Sequence, residues 1–297
     1  MTTLALVSVL YNSDNVLEDF IKCLSTQTYK DYKLYLIDNS PTFERTKILI
    51  SILKKYGIKK YTHIINDENV GVAKGNNQGI ELSQIEGYSY TLLLNNDIEF
   101  YQENLLEGIL NYAILNSEKL LVPKNLYFDS KKISMAGGKL NLYTCVITNF
   151  GDGENDYRQY DSIKYCNYAP TCFMLIHNSI FEKIGLMDEK YFVYYDDTDF
   201  VYRAFLHGFP VCYLPDYVIF HKISNSTGGS DSLFSIYYYH RNRLYFIKKF
   251  TKGIKYSSSS LYFFITRFKL LFIYNNKQLA TLKKAILDGF NMKVEVK

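Results

Sequence analysis

The chain has 297 residues, 47% of them hydrophobic and 22% charged, with a formal net charge of +4. That length buries a sizeable core, and the composition is that of an ordinary globular protein rather than a disordered or fibrous one. Five cysteines, an odd number with no CxxC pair, favour reduced thiols over a disulfide scaffold or a zinc site, and no uninterrupted apolar run reaches the roughly 18–20 residues that span a bilayer.

Met1-Thr-Thr-Leu leads straight into the apolar run Leu4–Leu10, so a buried strand is expected there and no leader peptide. Ser13 and Asp14 have the chemistry of a helix cap, and Val16, Leu17, Phe20, Ile21 and Leu24 recur at helical spacing. A second strand over Tyr32–Ile37 ends in the turn-like Asp38-Asn39-Ser40-Pro41, and helical spacing returns at Ile48, Leu49, Ile52, Leu53 and Tyr56. A third strand near Tyr61–Ile65, a polar glycine-bearing loop, a helix near Lys74–Leu82 and a strand at Tyr90–Leu94 follow. Repeated strand–helix units imply a mostly parallel sheet with right-handed crossovers, and such sheets bind ligands at the carboxyl ends of their strands. Tyr11-Asn12, Asp38, the loop from Asn69 to Asn77, and Asp97 all fall at those ends.

From about residue 125 to 235 the pattern is mixed, with glycine turns at Gly137-Gly138, Gly151–Gly153 and Gly228-Gly229. No repeat or linker interrupts it. One domain over residues 1–235 with a helical extension over 236–297 is therefore expected. Residues 241–297 hold 13 Lys/Arg against 2 Asp/Glu, or +11, so residues 1–240 hold 21 against 28, or −7. That asymmetry calls for an acidic partner at the C-terminal end.

Three carboxylates, Asp196, Asp197 and Asp199, crowd four positions within an aromatic stretch, and His221 lies 24 residues past the second. Carboxylates in such surroundings are held by a metal, by Arg or by backbone donors, or one takes a raised pKa and acts as a base. With Asn95-Asn96-Asp97 directly after the Tyr90–Leu94 strand, the arrangement suggests a metal site beside a general base. Structural roles suit the same residues. The aspartates can open a helix against its dipole, Asp199 can pair with Arg203 four residues on, Asp97 can end a strand, and His221 can sit in a core. Lys74, Arg241 and Arg243 can be solvated helix residues, and the two arginines stay outside the expected site.

Several motifs occur in a telling order: Val9-Leu10-Tyr11-Asn12, Ile37-Asp38-Asn39-Ser40, Asn66 to Gly71 with Lys74-Gly75-Asn76-Asn77, and Leu94-Asn95-Asn96-Asp97. Phe181 to Glu189, Tyr195-Asp196-Asp197-Thr198-Asp199-Phe200 with Arg203, His221 and His240-Arg241-Asn242-Arg243 continue it. Over about residues 4–250 the chain resembles family 2 glycosyltransferases, especially the bacterial rhamnosyl-, galactofuranosyl- and related polysaccharide transferases. The resemblance implies an α/β GT-A fold, a Rossmann-like and mostly parallel central sheet with flanking helices, here with a helical C-terminal extension. It also implies inverting transfer of a sugar from a UDP- or dTDP-sugar to a hydroxyl of a glycan or lipid-linked glycan acceptor in cell-surface polysaccharide synthesis.

By the same resemblance Asp97 and His221 hold Mg²⁺ or Mn²⁺, and Asp197, with Asp196 beside it, is the catalytic base. Asp38 accepts the N3–H of uracil or thymine, Tyr11 packs on that ring, and Asn12, Asn69, Gly71, Lys74, Asn76 and Asn96 complete the donor-nucleotide site. The chain departs from the family pattern where Asp196 replaces the usual Glu, where Thr171-Cys172 replaces a small pair, and where only Asp97 remains of the acidic metal motif.

Two other classes share a sheet with such a site. A sugar-nucleotide nucleotidyltransferase opens with a glycine-rich, basic phosphate loop, which Leu10-Tyr-Asn-Ser-Asp-Asn15 lacks. A catalytically inactive sugar-binding protein has no need of Asp97, Asp197 and His221 together. The first strand is followed by no GxGxxG, which argues against a dehydrogenase. No nucleic-acid partner is expected. Leu261–Tyr274 is too short to span a bilayer and is interrupted by Arg267 and Lys269. Its aromatics and basic residues suit binding to anionic lipid, which implies a cytoplasmic protein peripheral on the inner face of the plasma membrane.

Overall fold

Alternate side chains of the first strand enter two different cores. In the computed structural model, which describes residues 4–222, 229 and 231–294, Leu4, Leu6 and Leu10 pack on one face and Ala5 and Val7 on the other. Met1-Thr-Thr and the expected turn residue Gly228 lie outside the described residues. A strand apolar on both faces is the mark of a sheet covered by helices on both sides.

The chain begins β1 (Leu4–Leu10), α1 (Leu17–Thr26), β2 (Tyr32–Asp38), α2 (Phe43–Lys55), β3 (Tyr61–Ile65), α3 (Val72–Ile85), β4 (Tyr90–Leu94). It continues β5 (Ile98–Glu99), α4 (Leu105–Leu115), β6 (Leu120–Tyr127), β7 (Ile133–Met135), β8 (Gly138–Asn141), β9 (Val146–Asn149), β10 (Lys164–Cys166) and β11 (Phe173–His177). After α5 (Ser179–Ile184), α6 (Asp196–Leu206) and β12 (Val211–His221), three helices end it: α7 (Leu233–Phe250), α8 (Gly253–Phe268) and α9 (Asn276–Asn291).

The main sheet runs β10-β12-β6-β11-β4-β1-β2-β3. β1 is parallel to β2 and β4, β2 to β3, and β6 to β12, while β11 runs antiparallel between β4 and β6. The sheet is mixed and mostly parallel. Because β11 reverses, β12 points the same way as β1 and β4, and His221 emerges on the edge where Asp97 follows β4. The short β5 then turns back onto β12, pairing Ile98 with His221, and the Lys222 N–H donates to the Asp97 carbonyl at 2.8 Å. That pairing joins residues more than a hundred positions apart.

Ser13 and Asp14 do not cap α1. The helix starts at Leu17 with no side-chain cap, and the Ser13 carbonyl takes the N–H groups of Val16 and Leu17. Its hydroxyl is committed elsewhere, accepting from the Tyr11 N–H at 3.1 Å and from the Asn96 amide. All five cysteines are buried thiols.

Helices α7, α8 and α9 form a third core with Tyr191, Tyr195, Tyr245, Phe246 and Phe263. α9 crosses α7 at Gly289, where a Cβ would sit 2.8 Å from the Arg241 carbonyl, so only glycine allows the approach. Lys249 on α7 bonds Asp188 and Asp199 at 2.6 Å each. Asp199 is fully buried and also binds Arg203 at 2.6 Å and the Tyr191 hydroxyl at 3.1 Å. Removing one partner of a buried ion pair strands the other charge. Lys249→Met is therefore expected to cost about 3 kcal/mol of unfolding free energy, read by urea denaturation; a loss under about 0.5 kcal/mol, the scale of an exposed pair, would show that the contact carries no weight.

Candidate active site

A cleft of about 700 Å³ opens at the carboxyl ends of β1, β2 and β4. Tyr11, Asn12, Asn69, Gly71, Asn76, Asn96, Asp97 and His221 line it, so the fold gathers eight of the sequence-derived residues around one space. Asp38, Lys74, Asp196 and Asp197 are not among its lining residues. Lys74 is exposed on α3, consistent with a solvated helix lysine. Asp38 is buried behind the lining: one oxygen accepts the Ser40 N–H at 3.0 Å and the other lies 3.4 Å from His63 Nε2. The β2–β3 register sets His63 two residues before the partner of Asp38, hence on the same face.

The wall near β2 and β3 is built from amides. Asn39 donates to the Asn69 side chain and to the Gly71 carbonyl at 3.2 Å each, and accepts from Asn66 at 2.8 Å. Asn69 in turn accepts the Gly71 N–H at 3.0 Å. Gly71 has φ 85°, and a Cβ there would sit 2.6 Å from the Phe192 carbonyl, so this turn into α3 excludes other residues. On the β1 side, Arg45 donates to Asn12 at 2.9 Å and to the Ser40 carbonyl at 3.1 Å, holding Asn12 at φ 49°. Asn39, Arg45 and His63 were not anticipated as supports; their contacts are tertiary, and composition offers no signal for them.

Asp97 and His221 meet at 3.2 Å. Burial would push the imidazole down, but its hydrogen bonding to Asp97 and the nearby Cys172 thiol outweigh that and raise it to about 10. A carboxylate and an imidazole are suitable donors to Mn²⁺, and the carboxylate to Mg²⁺. Among the described residues no group of three or more His, Cys, Asp or Glu converges. The pair fits a cation whose remaining positions are filled by substrate oxygens and water, not a closed structural metal site.

Facing the sheet ends, Phe192, Val193 and Tyr194 complete the cleft. Phe192, Tyr194 and Tyr195 all have positive φ, between 62° and 66°, a conformation that costs of order 1 kcal/mol or more per residue. Asn242 on α7 holds this segment by donating to the carbonyls of Tyr191, Val193 and Tyr194 at 2.7–2.9 Å. Arg241 adds bonds to the carbonyls of Lys190 and Tyr191. The His240–Arg243 motif thus fastens the segment that leads into α6.

Asp196 and Asp197 open α6, where the helix dipole favours negative charge. Asp196 is buried and Asp197 partly exposed. Burial, then the charge of Asp197, push Asp196 from its usual 3.8 to about 8. Asp197 is also raised by burial, opposed by donors from Tyr168 at 3.0 Å and from the Thr198 N–H at 2.6 Å and hydroxyl at 3.1 Å. At neutral pH Asp196 therefore keeps its proton, and Asp197, the more accessible of the two, holds the donors that favour a charged carboxylate. Asp196 binds a proton in the folded state that the unfolded chain gives up near pH 4, so stability falls as pH rises from about 4 to 8. Asp196→Asn should abolish that fall, gaining up to about 1.4 kcal/mol per pH unit across the window and no more above it. Urea melts at stepped pH measure it; parallel profiles for the two proteins would refute the assignment.

A family model described as glycosyl transferase family 2 matches residues 6–185. The chain is 27% identical over 220 residues to the low-salt glycan biosynthesis hexosyltransferase Agl10 of Haloferax volcanii, covering 68% of this chain and 61% of that protein. It is 23% identical over 176 residues to the dTDP-rhamnosyl transferase RfbF of Shigella flexneri, covering 57% of this chain and 55% of that one. It thus spans less than two thirds of the length of either relative. The crystal structure of GalNAc-T7 with UDP, GalNAc and Mn²⁺ superposes with a TM-score of 0.67 at 13% identity, over 86% of this chain and 49% of that chain. The likeness is one of fold: the sheet and flanking helices have the GT-A architecture.

Proposed function

Because the chain belongs to glycosyl transferase family 2, we propose that it moves a sugar, with inversion, from a UDP- or dTDP-sugar to a hydroxyl of a lipid-linked glycan. The observation that carries the reading is the cleft at the strand ends, where polar amides, the aromatic Tyr11 and the Asp97–His221 pair line one space. The relatives agree in class, one a hexosyltransferase and one a dTDP-rhamnosyl transferase. Tyr11 offers a ring face at the end of β1, and Asp38 stands behind it as acceptor for the base. Asn69, Gly71, Asn76 and Asn96 present amide and backbone groups to ribose and diphosphate, with Asn12 beside them; Lys74, expected among them, is exposed in the first turn of α3 and does not line the cleft.

Asp97 and His221 would hold Mg²⁺ or Mn²⁺, which when bound offsets the charge on the diphosphate leaving group; Mn²⁺ accompanies UDP in the GalNAc-T7 structure. Asp197, whose charged form the donors Tyr168 and Thr198 favour, takes the proton as the acceptor oxygen attacks the anomeric carbon and the nucleoside diphosphate departs. Asp196 keeps its own proton and limits the charge buried beside the reacting oxygen.

Removing the base acts on the chemical step alone. Asp197→Asn should lower kcat by about 10²–10⁴ while a UDP- or dTDP-sugar still binds in the presence of Mn²⁺, and excess EDTA should abolish transfer by the unaltered protein. Near-full activity of Asp197→Asn, or undiminished transfer in chelator, would each overturn the corresponding assignment.

Among the described residues no helix is long and apolar enough to cross a membrane. Yet Leu261, Phe264, Ile265, Phe268, Leu271, Phe272 and Ile273 are exposed together from α8 through the 3₁₀ turn Lys269–Phe272, with Phe272 at 79% and Ile273 at 71%. With the +11 charge of residues 241–297, this face suits the anionic cytoplasmic surface of a plasma membrane, each basic residue adding about 1 kcal/mol. Phe268→Asp with Phe272→Asp, both at exposed positions, should remove salt-sensitive co-sedimentation with phosphatidylglycerol vesicles. No binding by the unaltered protein at low salt would end the membrane reading.

A further inference from the structure

A second cavity of about 380 Å³ lies among the C-terminal helices, and Tyr194 lines both it and the cleft. Its wall includes Arg267, which is only 7% exposed. Arg267 donates to His240 Nδ1 from Nε at 3.1 Å and Nη2 at 2.9 Å, and to the Thr266 hydroxyl at 2.6 Å. All of these partners are neutral, since burial and the charges of Arg267 and Arg243 push His240 down to about 3. Arg243, 3% exposed, shares the Phe263 ring with Arg267, their guanidinium carbons lying 5.9 and 4.3 Å from its centroid. It donates to the Thr144 carbonyl at 2.7 Å, and its Nε is buried with no hydrogen-bond partner among the described residues. Among the described residues neither arginine pairs with a carboxylate, the Asp231 side chain at the exposed rim included. Two buried cations without a counter-ion are costly, and a ring face offsets only part of the cost.

We propose that this cavity is a subsite for a phosphate group borne by the lipid-linked acceptor, with Arg267 as its cationic anchor. A guanidinium fork matches phosphate oxygens in pairs, and the polar residues Tyr239 and Tyr274 line the same space. The shared Tyr194 wall sets a bound phosphate beside the donor cleft. Arg267 and Leu270 also belong to the segment whose other face exposes the apolar residues described above, so a lipid tail can remain in the bilayer while its phosphate turns inward. The lipid origin of the phosphate rests on the proposed membrane-side transfer; the anion site itself does not.

Inorganic pyrophosphate titrated calorimetrically in EDTA probes the site without a cation at Asp97 and His221. Binding is expected to survive Asp97→Ala, to weaken about tenfold in Arg267→Lys, which keeps charge but loses the fork, and to vanish in Leu270→Glu, which supplies the missing carboxylate. Because Leu270 is only partly buried, the Glu variant tests the idea even if Arg267 variants fold poorly, and it should also raise thermal stability. Pyrophosphate binding that is unchanged in Leu270→Glu, or that is lost in Asp97→Ala, would overturn the subsite. Farnesyl diphosphate should bind at least tenfold tighter than pyrophosphate, the 1.4 kcal/mol that fewer than two buried methylenes supply; equal binding would overturn the lipid origin. UDP binding with Mn²⁺, measured on the same variants, separates these failures from failure of the donor reading, since it depends on Asp97 and not on Leu270.

Discussion

One fully buried carboxylate, Asp199, ties α6 and the segment before it to the C-terminal helix α7. Arg203 reaches it from one turn further along α6, Lys249 from α7, and the Tyr191 hydroxyl from the segment before α6. Arg203 also bonds the carbonyls of Ile184 and Leu186 after α5, and Lys249 also bonds Asp188. Burial raises Asp188, yet the Lys249 charge brings it below the usual carboxylate range. Two cations on two carboxylates, each further hydrogen-bonded, meet the condition under which buried charge is tolerated. Helix α6 cannot shift along its axis without breaking this set.

That fixed axis is what makes the strained approach to α6 affordable. Phe192, Tyr194 and Tyr195 take left-handed conformations because Asn242 and Arg241 occupy the carbonyls on either side of them. The strain sets the rings of Phe192 and Tyr194 against the cleft and leaves Asp196 and Asp197 in the first turn of the helix. The consequence is an acidic pair in which one member keeps its proton, and a cleft whose other wall is mostly uncharged, rich in asparagine apart from the Asp97–His221 pair. A neutral wall suits a donor that brings its own negative charge and, on the proposed reading, its own cation.

The C-terminal helices reverse that electrostatic character. Their inner face holds two buried arginines that pair with no carboxylate among the described residues, and their outer face exposes apolar side chains. The proposed membrane surface and the proposed phosphate subsite are two sides of one segment, with α8 supplying both.

Much of this was legible without coordinates. The apolar run Leu4–Leu10, the turn after Asp38 and the 3.6-residue periodicity before Tyr56 are local signals, and the strands and helices form where they indicate. The ordering of strand ends also brought Tyr11, the Asn69–Gly71 loop and Asp97 to one edge, because parallel topology leaves little choice. The Asp199–Arg203 pair followed from helical spacing alone. What sequence could not decide is contact between distant segments. The cap expected of Ser13 failed because its hydroxyl serves Asn96, on the loop after β4. Asp38 also meets His63, and Lys74 is exposed to solvent, because register and helix phase rather than residue type set those contacts. The β5–β12 pairing that joins Asp97 to His221, the clamp of Asn242, and the burial of Arg267 against His240 each depend on elements meeting across tens of residues. Local propensity acts within a few residues along the chain, whereas burial, ion pairing and pKa are set by neighbours in space.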